Sequence, residues 1–158
     1  MKEKEYYTPE LEEFHHGFKY EMKSRFGNGT IKTKEDFDNA DWEEFICSSN
    51  TFPYLERILN GGNSKNLPPA LRVKYLDKYD IEELGWEYSG MLDVDLHTFK
   101  LHIQSEPDTD IAKDYFHLRY EDYTQRILIT DGKYEHYRFF GEIKNKSELM
   151  ILMKQLGI

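Results

Sequence analysis

Cysteine is almost absent from this chain, and long apolar runs are missing. Cys47 is the single cysteine, so an intrachain disulfide and a four-cysteine zinc site are both excluded. No N-terminal segment has the apolar run of a signal peptide, and no stretch approaches the roughly 20 apolar residues of a membrane span. The sequence therefore predicts a soluble cytoplasmic protein that makes no membrane contact, in which Cys47 is a buried thiol.

Recognised catalytic motifs are missing as well. The sequence holds no Walker loop, no glycine-rich dinucleotide fingerprint, no G-x-S-x-G elbow and no H-E-x-x-H helix. Catalytic sites are assembled in space, so this absence does not exclude an enzyme. It favours a non-catalytic role that requires no cofactor.

Basic residues are outnumbered: 21 Lys and Arg stand against 30 Asp and Glu, which gives a net charge of −9. Such a charge repels nucleic-acid phosphates and argues against DNA or RNA as the partner. Because the acidic residues are interleaved with Lys and Arg, the charge indicates solubility more than an acidic decoy for a basic surface.

Aromatic residues, in contrast, are plentiful, with 12 Tyr, 10 Phe and 2 Trp. They are spread from Tyr6 to Phe140 and supply large buried areas that offset a charged fraction of 32%. At 158 residues, the chain is expected to fold as a single domain, residues 1–158.

The C-terminal stretch carries the clearest local pattern. Asn145 is a suitable N-cap, and Glu148 is placed to reach back to the Asn145 amide as a capping-box partner. Apolar residues follow at helical spacing, and Gly157 is a ready C-terminal stop. The pattern predicts a helix over Asn145–Leu156 that buries its apolar face, including Leu152.

Strands are predicted before this helix wherever apolar and polar residues alternate. From Trp86 onward the pattern gives five, roughly Trp86–Leu92, Leu96–Gln104, Tyr115–Tyr120, Arg126–Thr130 and Tyr134–Ile143, with a hairpin signal at Asp131-Gly132. Upstream strands are predicted over Phe14–Met22 and Leu71–Tyr75, and short helices near Lys34–Asn39, Thr51–Leu59 and Asp77–Leu84. The period of Trp42–Cys47 fits a helix and a strand equally well.

This order of elements predicts an α+β fold. Its main part is an antiparallel sheet of meander and hairpin connections, with a few short helices and a C-terminal helix packed on the sheet. The helices are too few to cover both faces, so one face of the sheet is expected to be exposed, polar and aromatic.

Three stretches resemble a group of small uncharacterised proteins from Bacteroidetes and their tailed phages. They are Tyr7–Glu10 with Glu12–His15 and Gly17-Phe18, Arg72–Asp77 with Asp80-Ile81 and Leu84–Trp86, and Gly141–Leu149. The resemblance covers about half of the chain and carries no activity to transfer. It implies a phage-like or bacterial accessory protein in the cytoplasm of a bacterial host.

An acidic stretch offers one candidate for chemistry. Asp93, Asp95 and His97 alternate, so on a regular strand they would project from one face and could share a divalent metal or act as acid and base. This spacing keeps open an alternative function, a small metal-dependent hydrolase. The competing interpretation puts both aspartates in a solvated bend and His97 at the margin of the core.

A second candidate is a polar, weakly basic sheet face. Alternating positions on three predicted strands would gather Lys100, His102, His117, Arg119, His136 and Arg138 if those strands are neighbours. Such a face could bind an anionic, nucleotide-like ligand, with Tyr115, Tyr134 or Tyr137 stacking on a base. The alternative is an ordinary solvent-exposed face with cross-strand charge pairs.

The leading expectation is therefore a non-catalytic binding protein. It would engage a host protein through exposed tyrosines or sequester a small anionic ligand. A self-associating structural or assembly protein, forming a homo-oligomer, is a further alternative.

Overall fold

The computed structural model describes residues 5–24, 31–48, 50–59, 67–102, 115–132 and 136–158. The chain divides into two compact units, Lys2–Tyr75 and Leu76–Ile158, and each has a buried apolar cluster of its own. Both contain an antiparallel sheet accompanied by short helices. The predicted α+β class is confirmed.

The first unit is built on a four-stranded sheet in the order β1-β4-β2-β3. Its strands are β1 (Tyr6–Tyr7), β2 (Lys19–Lys23), β3 (Trp42–Ile46) and β4 (Leu71–Lys74), and its helices are α1 (Lys34–Asn39), α2 (Phe52–Leu59) and a 3₁₀ turn (Leu11–Glu13). The ambiguous stretch after Trp42 is thus a strand, because pairing with β2 supplies its backbone hydrogen bonds.

Helix α1 begins where a capping box satisfies its first free amides. The Thr33 hydroxyl accepts from the Asp36 amide at 3.1 Å, and the Asp36 carboxylate accepts from the Thr33 amide at 3.0 Å. The hydrogen bond from Thr33 is the main cause that lowers the pKa of Asp36. The helix continues only to Asn39, and Phe37 anchors it in the core of the first unit.

One strand prediction for the first unit turns out differently. The strand predicted from Phe14 begins only at Lys19, because Phe14 and Phe18 enter the core from a turn that includes Gly17. Gly17 has a φ of +87°, a conformation that breaks the alternation of a strand. The predicted turn at 27–29 lies outside the described residues.

The second unit is a five-stranded meander in the order β5-β6-β7-β8-β9. Its strands are β5 (Glu87–Asp93), β6 (Leu96–His102), β7 (Tyr115–Glu121), β8 (Arg126–Asp131) and β9 (Tyr137–Glu142), and its helices are α3 (Lys78–Glu83) and α4 (Lys146–Leu156). All five predicted strands are present, each paired antiparallel with its sequence neighbour.

Helix α4 covers the inner face of this sheet. Leu149, Leu152 and Met153 share one buried cluster with strand residues that include Phe99 and Leu118. The Trp86 indole N–H donates to the Met153 sulfur at 3.4 Å, which gives a buried polar atom a partner. Packing of the C-terminal helix on the sheet is therefore confirmed.

The ends of α4 follow the predicted signals with one difference. The Asn145 side chain accepts from the Glu148 amide at 3.0 Å, and Gly157 closes the helix with a φ of +73°. The Glu148 carboxylate, however, accepts from the Lys144 amide at 2.7 Å and from the Asn145 side chain, where the sequence predicted the Asn145 amide. The donor amide therefore lies one residue earlier than in a standard capping box.

Candidate functional site

The strand register brings several predicted site residues onto the outer face of the second sheet, the face away from α4. Residues directly opposite each other in an antiparallel pair project on the same side. Lys100 lies opposite His117, His102 lies opposite Tyr115, and Arg119 lies opposite Thr98. We call the set formed by Lys100, His102, Tyr115, His117, Arg119 and Tyr137 the cationic face.

Tyr115 is the centre of contacts within the cationic face. Its ring centroid lies 4.8 Å from that of His117, in an edge-on arrangement, and 6.2 Å from that of His102. The Lys100 ammonium lies 5.7 Å from the same centroid, within the range of a cation–π interaction. Three basic side chains therefore lie around one aromatic ring, that of Tyr115.

The charges in this group are not equally available. His102 Nε2 lies 3.5 Å from a carboxylate oxygen of Glu87, so a partner is present for that imidazole. Arg119 is exposed, and in the described part of the chain no carboxylate pairs with its guanidinium. Arg119 is therefore the cation on this face best able to bind an external anion.

Tyr137 extends the cationic face across two further strands. Thr130 lies between them, opposite both His117 and Tyr137, so all three project on the outer side. The Tyr137 side chain is 78% exposed, which leaves its ring open to stacking. Two strand spacings, about 10 Å, separate it from His117.

The other predicted members are placed differently. A bulge between Ile129 and Thr130 interrupts the pairing with β9, and Arg138 falls at this irregularity, with Nη2 3.3 Å from an oxygen of Asp131. His136 precedes β9, and its carbonyl accepts from the Asp131 amide at 2.9 Å. These two residues therefore gather around Asp131, whereas Tyr134 lies outside the described residues.

The possible metal residues are not brought together. Asp93 pairs with Leu96, which projects outward, whereas His97 pairs with Tyr120 and Met91 on the inner side. Asp95 occupies the turn between β5 and β6 and is exposed. The turn at residues 94–95 separates β5 from β6 and so breaks the alternation on which the metal hypothesis depended.

One ring nitrogen of His97 is engaged by a carboxylate from the segment after β7. Its Nε2 lies 2.9 Å from an oxygen of Asp122, and its side chain is only 12% exposed. Its ring is nearly parallel to that of Tyr120, with centroids 6.5 Å apart. Across the described ranges, no group of three His, Cys, Asp or Glu side chains could hold a metal ion.

Sequence reasoning missed two apolar neighbours of Arg119. Leu128 lies opposite Arg119, and Phe140 lies opposite Leu128, so both project outward. Phe140 is 68% exposed, although apolar residues in a strand usually indicate the core. For Leu128, the sequence signal was the unbroken apolar run from Ile127 to Ile129. On a half-buried strand, such a run must present one residue to solvent.

Comparisons of the chain with protein-family models, with curated proteins and with solved structures give no match. No helix within the described ranges is long and apolar enough to span a membrane. The site geometry is thus the basis for assigning a function.

Proposed function

We propose that this protein is a non-catalytic binding protein that captures a small anionic, nucleotide-like ligand on the cationic face. One observation carries the proposal: Lys100, His117 and Arg119 lie side by side on adjacent strands of an otherwise acidic protein, and no carboxylate of the described residues pairs with Arg119. Clustered cations of this kind suit phosphate groups, because charge-assisted hydrogen bonds are the strongest that a side chain forms.

The aromatic side chains favour a ligand that also has a flat ring. Tyr137 and Phe140 are both strongly exposed and lie about 10 Å, two strand spacings, from the basic residues of β7. A nucleotide has a base at one end and phosphates at the other, and a base gains energy by stacking on an aromatic ring. The phosphates would contact Arg119, His117 and Lys100 while the base contacts Tyr137.

Sequestration fits this arrangement better than turnover. The face is an open strand surface, and the described residues offer no metal site beside it to activate a water molecule. The sequence resemblance to phage and bacterial proteins supports an accessory role in a bacterial cytoplasm, such as removing a signal or occupying a host factor. A host protein could be engaged through the same exposed tyrosines.

Calorimetric titration with ATP, AMP and pyrophosphate tests the proposal. We expect ATP to bind, and Arg119→Glu to weaken ATP and pyrophosphate alike, because both contact the guanidinium. Lys154→Glu on α4 changes the net charge equally and is the matched control, since Lys154 is exposed on the helix that packs against the opposite face of the sheet. Absence of binding by all three compounds would refute the proposal.

The stacking contact can be tested separately. Tyr137→Ala is expected to weaken ATP binding by about 1–3 kcal/mol while leaving pyrophosphate binding unchanged, because only ATP carries a base. Tyr123→Ala is the control, since Tyr123 is 79% exposed but lies outside the cationic face. Intact ATP recovered after long incubation would agree with binding without turnover, whereas released phosphate would show an enzyme.

A further inference from the structure

The hairpin that joins β5 and β6 ends in an exposed tip that is both apolar and acidic. Val94 and Asp95 form the two-residue turn, and Leu92 and Asp93 precede it. Turns of this length usually carry Asn, Asp or Gly, whereas here Val94 is 76% exposed and Leu92 is 62% exposed. Turn chemistry therefore does not account for these two apolar side chains. We call residues 92–95 the acidic tip.

The two carboxylates of the acidic tip have no countercharge. Asp93 and Asp95 are both exposed, and within the described ranges neither forms an ion pair with a lysine or an arginine. The Asp93 carboxylate accepts from the neighbouring Val94 amide at 2.7 Å, a contact that supplies no positive charge. The acidic tip therefore suits a partner that carries positive charge beside apolar surface.

The acidic tip is held in place by the next turn of the sheet. The Asp122 amide, in the connection between β7 and β8, donates to the Asp95 carbonyl at 3.1 Å. His97 adds a side-chain contact, because its Nε2 lies 2.9 Å from an oxygen of Asp122. A tip that is already ordered loses less conformational entropy when it binds a partner.

A surface with the complementary chemistry is present on the same chain. Lys100 and Arg119 supply positive charge on the cationic face, and in the described part of the chain no carboxylate pairs with Arg119. Leu128 lies opposite Arg119 and Phe140 lies opposite Leu128, so apolar surface adjoins the guanidinium on the same outer side. Phe140 is exposed. Both halves of the match, charge and apolar surface, therefore occur in one protein.

We propose that the acidic tip of one copy docks on the cationic face of a second copy. Asp95 pairs with Arg119 of the second copy, and Val94 packs on Leu128 and Phe140 beside it. The contact joins opposite charges and buries apolar side chains that face water in a single copy. The two surfaces differ, so the contact is heterologous, and successive copies form a ring or an open chain.

Sedimentation and light scattering of the full chain without nucleotide test the contact, from about 1 to 200 µM because a small interface is weak. Salt at about 0.15 M screens the repulsion between acidic copies. We expect the average mass of the parent to rise with concentration. Asp95→Lys and Arg119→Glu should each weaken association about tenfold or more, because an attractive contact becomes repulsive. Glu82→Lys on α3 and Lys154→Glu on α4 change the net charge equally at exposed positions and should leave association intact.

A mixture of the two variants distinguishes this contact from any other mode of association. Alone, Asp95→Lys brings two cations together, and Arg119→Glu brings two carboxylates together. In an equimolar mixture, the unchanged tip of one variant meets the unchanged face of the other, and the two altered surfaces are complementary as well. Association should therefore return in the mixture. The test uses no ligand, so its result does not depend on whether the cationic face binds a nucleotide.

An apolar variant provides a second test that does not depend on charge. Val94→Asn suits the turn and replaces an exposed side chain, so the free energy of unfolding should be unchanged. Association should weaken about fivefold or more, because the apolar contact is lost. A parent that stays monomeric to the highest concentration would overturn the proposal and leave the acidic tip to a basic segment of another protein. So would association that is insensitive to both Asp95→Lys and Val94→Asn, or a mixture that does not associate.

Discussion

Tyr120 is a polar side chain held in the apolar core of the second unit. It is fully buried, and its hydroxyl donates to the Leu76 carbonyl and lies 3.2 Å from the side-chain oxygen of Gln125. Burial, followed by the nearby charge of Asp122, raises the pKa of Tyr120 above the usual value of 10.0. The phenol therefore stays neutral in the folded protein when exposed phenols ionise.

Tyr120→Phe is expected to change both the stability and its pH dependence. At neutral pH it should lower the free energy of unfolding by about 1–3 kcal/mol, because the Leu76 carbonyl loses its donor. A raised folded pKa means that stability is fully present below pH 10 and is lost as the pH rises further. The parent should therefore lose stability faster than the variant between about pH 10 and 12, in denaturant titrations at each pH. Parallel curves for the two proteins would contradict this explanation.

His97 and Asp95 are close in sequence but differ in their contacts, and paired variants separate their roles. His97→Ala is expected to lower stability by about 1–3 kcal/mol, because Asp122 loses a half-buried partner. Asp95→Asn, in an exposed turn, should change it by less than about 0.5 kcal/mol. Thermal melts with added Mn²⁺ or Zn²⁺ should match those without metal; a metal-dependent rise that both variants abolish would restore the metal hypothesis.

At the scale of elements, α4 is the helix whose sequence and packing agree most closely. Its caps are local, its apolar residues recur at helical spacing, and the buried ones contact the sheet. In α1, by contrast, Phe37 is the single buried residue. Agreement between local signals and packing is what makes an element predictable from sequence.

Leu152→Ala tests the packing of α4. We expect a loss of about 2–5 kcal/mol in the free energy of unfolding, because Leu152 is buried against the sheet and its truncation leaves a cavity. Gln155→Ala, at an exposed position on the same helix, is the control and should be nearly neutral. A negligible effect of Leu152→Ala in chemical denaturation would mean that the helix is not docked.

At the scale of the whole molecule, a local cationic face stands against a net charge of −9. The surrounding acidic residues repel anions at long range, whereas the ligand contacts at the face are attractive at short range. At 0.1 M salt the Debye length is about 10 Å, and exposed charges further apart than this are largely screened. Added salt therefore weakens both the long-range repulsion and the attraction at the face.

We expect the direct contacts to dominate once the ligand is bound. ATP affinity should therefore fall as NaCl is raised from about 50 to 500 mM in calorimetric titrations. Arg119→Glu should reduce this salt dependence. Salt ions compete with the ligand for the Arg119 guanidinium, and the variant removes that cation. An affinity that rises with salt would indicate that long-range repulsion dominates. It would contradict binding through charge-assisted contacts at the cationic face.

The alternation along each strand was enough to predict which residues of β6 and β7 share a face. Lys100, His102, His117 and Arg119 have the correct parity in sequence, and the structure pairs them across neighbouring strands. The same reasoning could not place Arg138 or His97 beside the proposed partners. Arg138 lies at an irregularity in the β8–β9 pairing, and a turn at residues 94–95 separates Asp93 from His97. An irregularity of this kind moves a side chain to the other face, and nothing in the local sequence announces it.

The sequence by itself determined the elements whose signals are local: the capped helix α4, the hairpin strands and the burial of Cys47. Only the tertiary structure decided which strands are neighbours, which residue opposes which, and that His97 has Asp122 as a partner. Local signals act through backbone conformation within a few residues, so they can be read from the chain. Cross-strand partners depend on register and bulges, which are fixed only when the sheet assembles on its core.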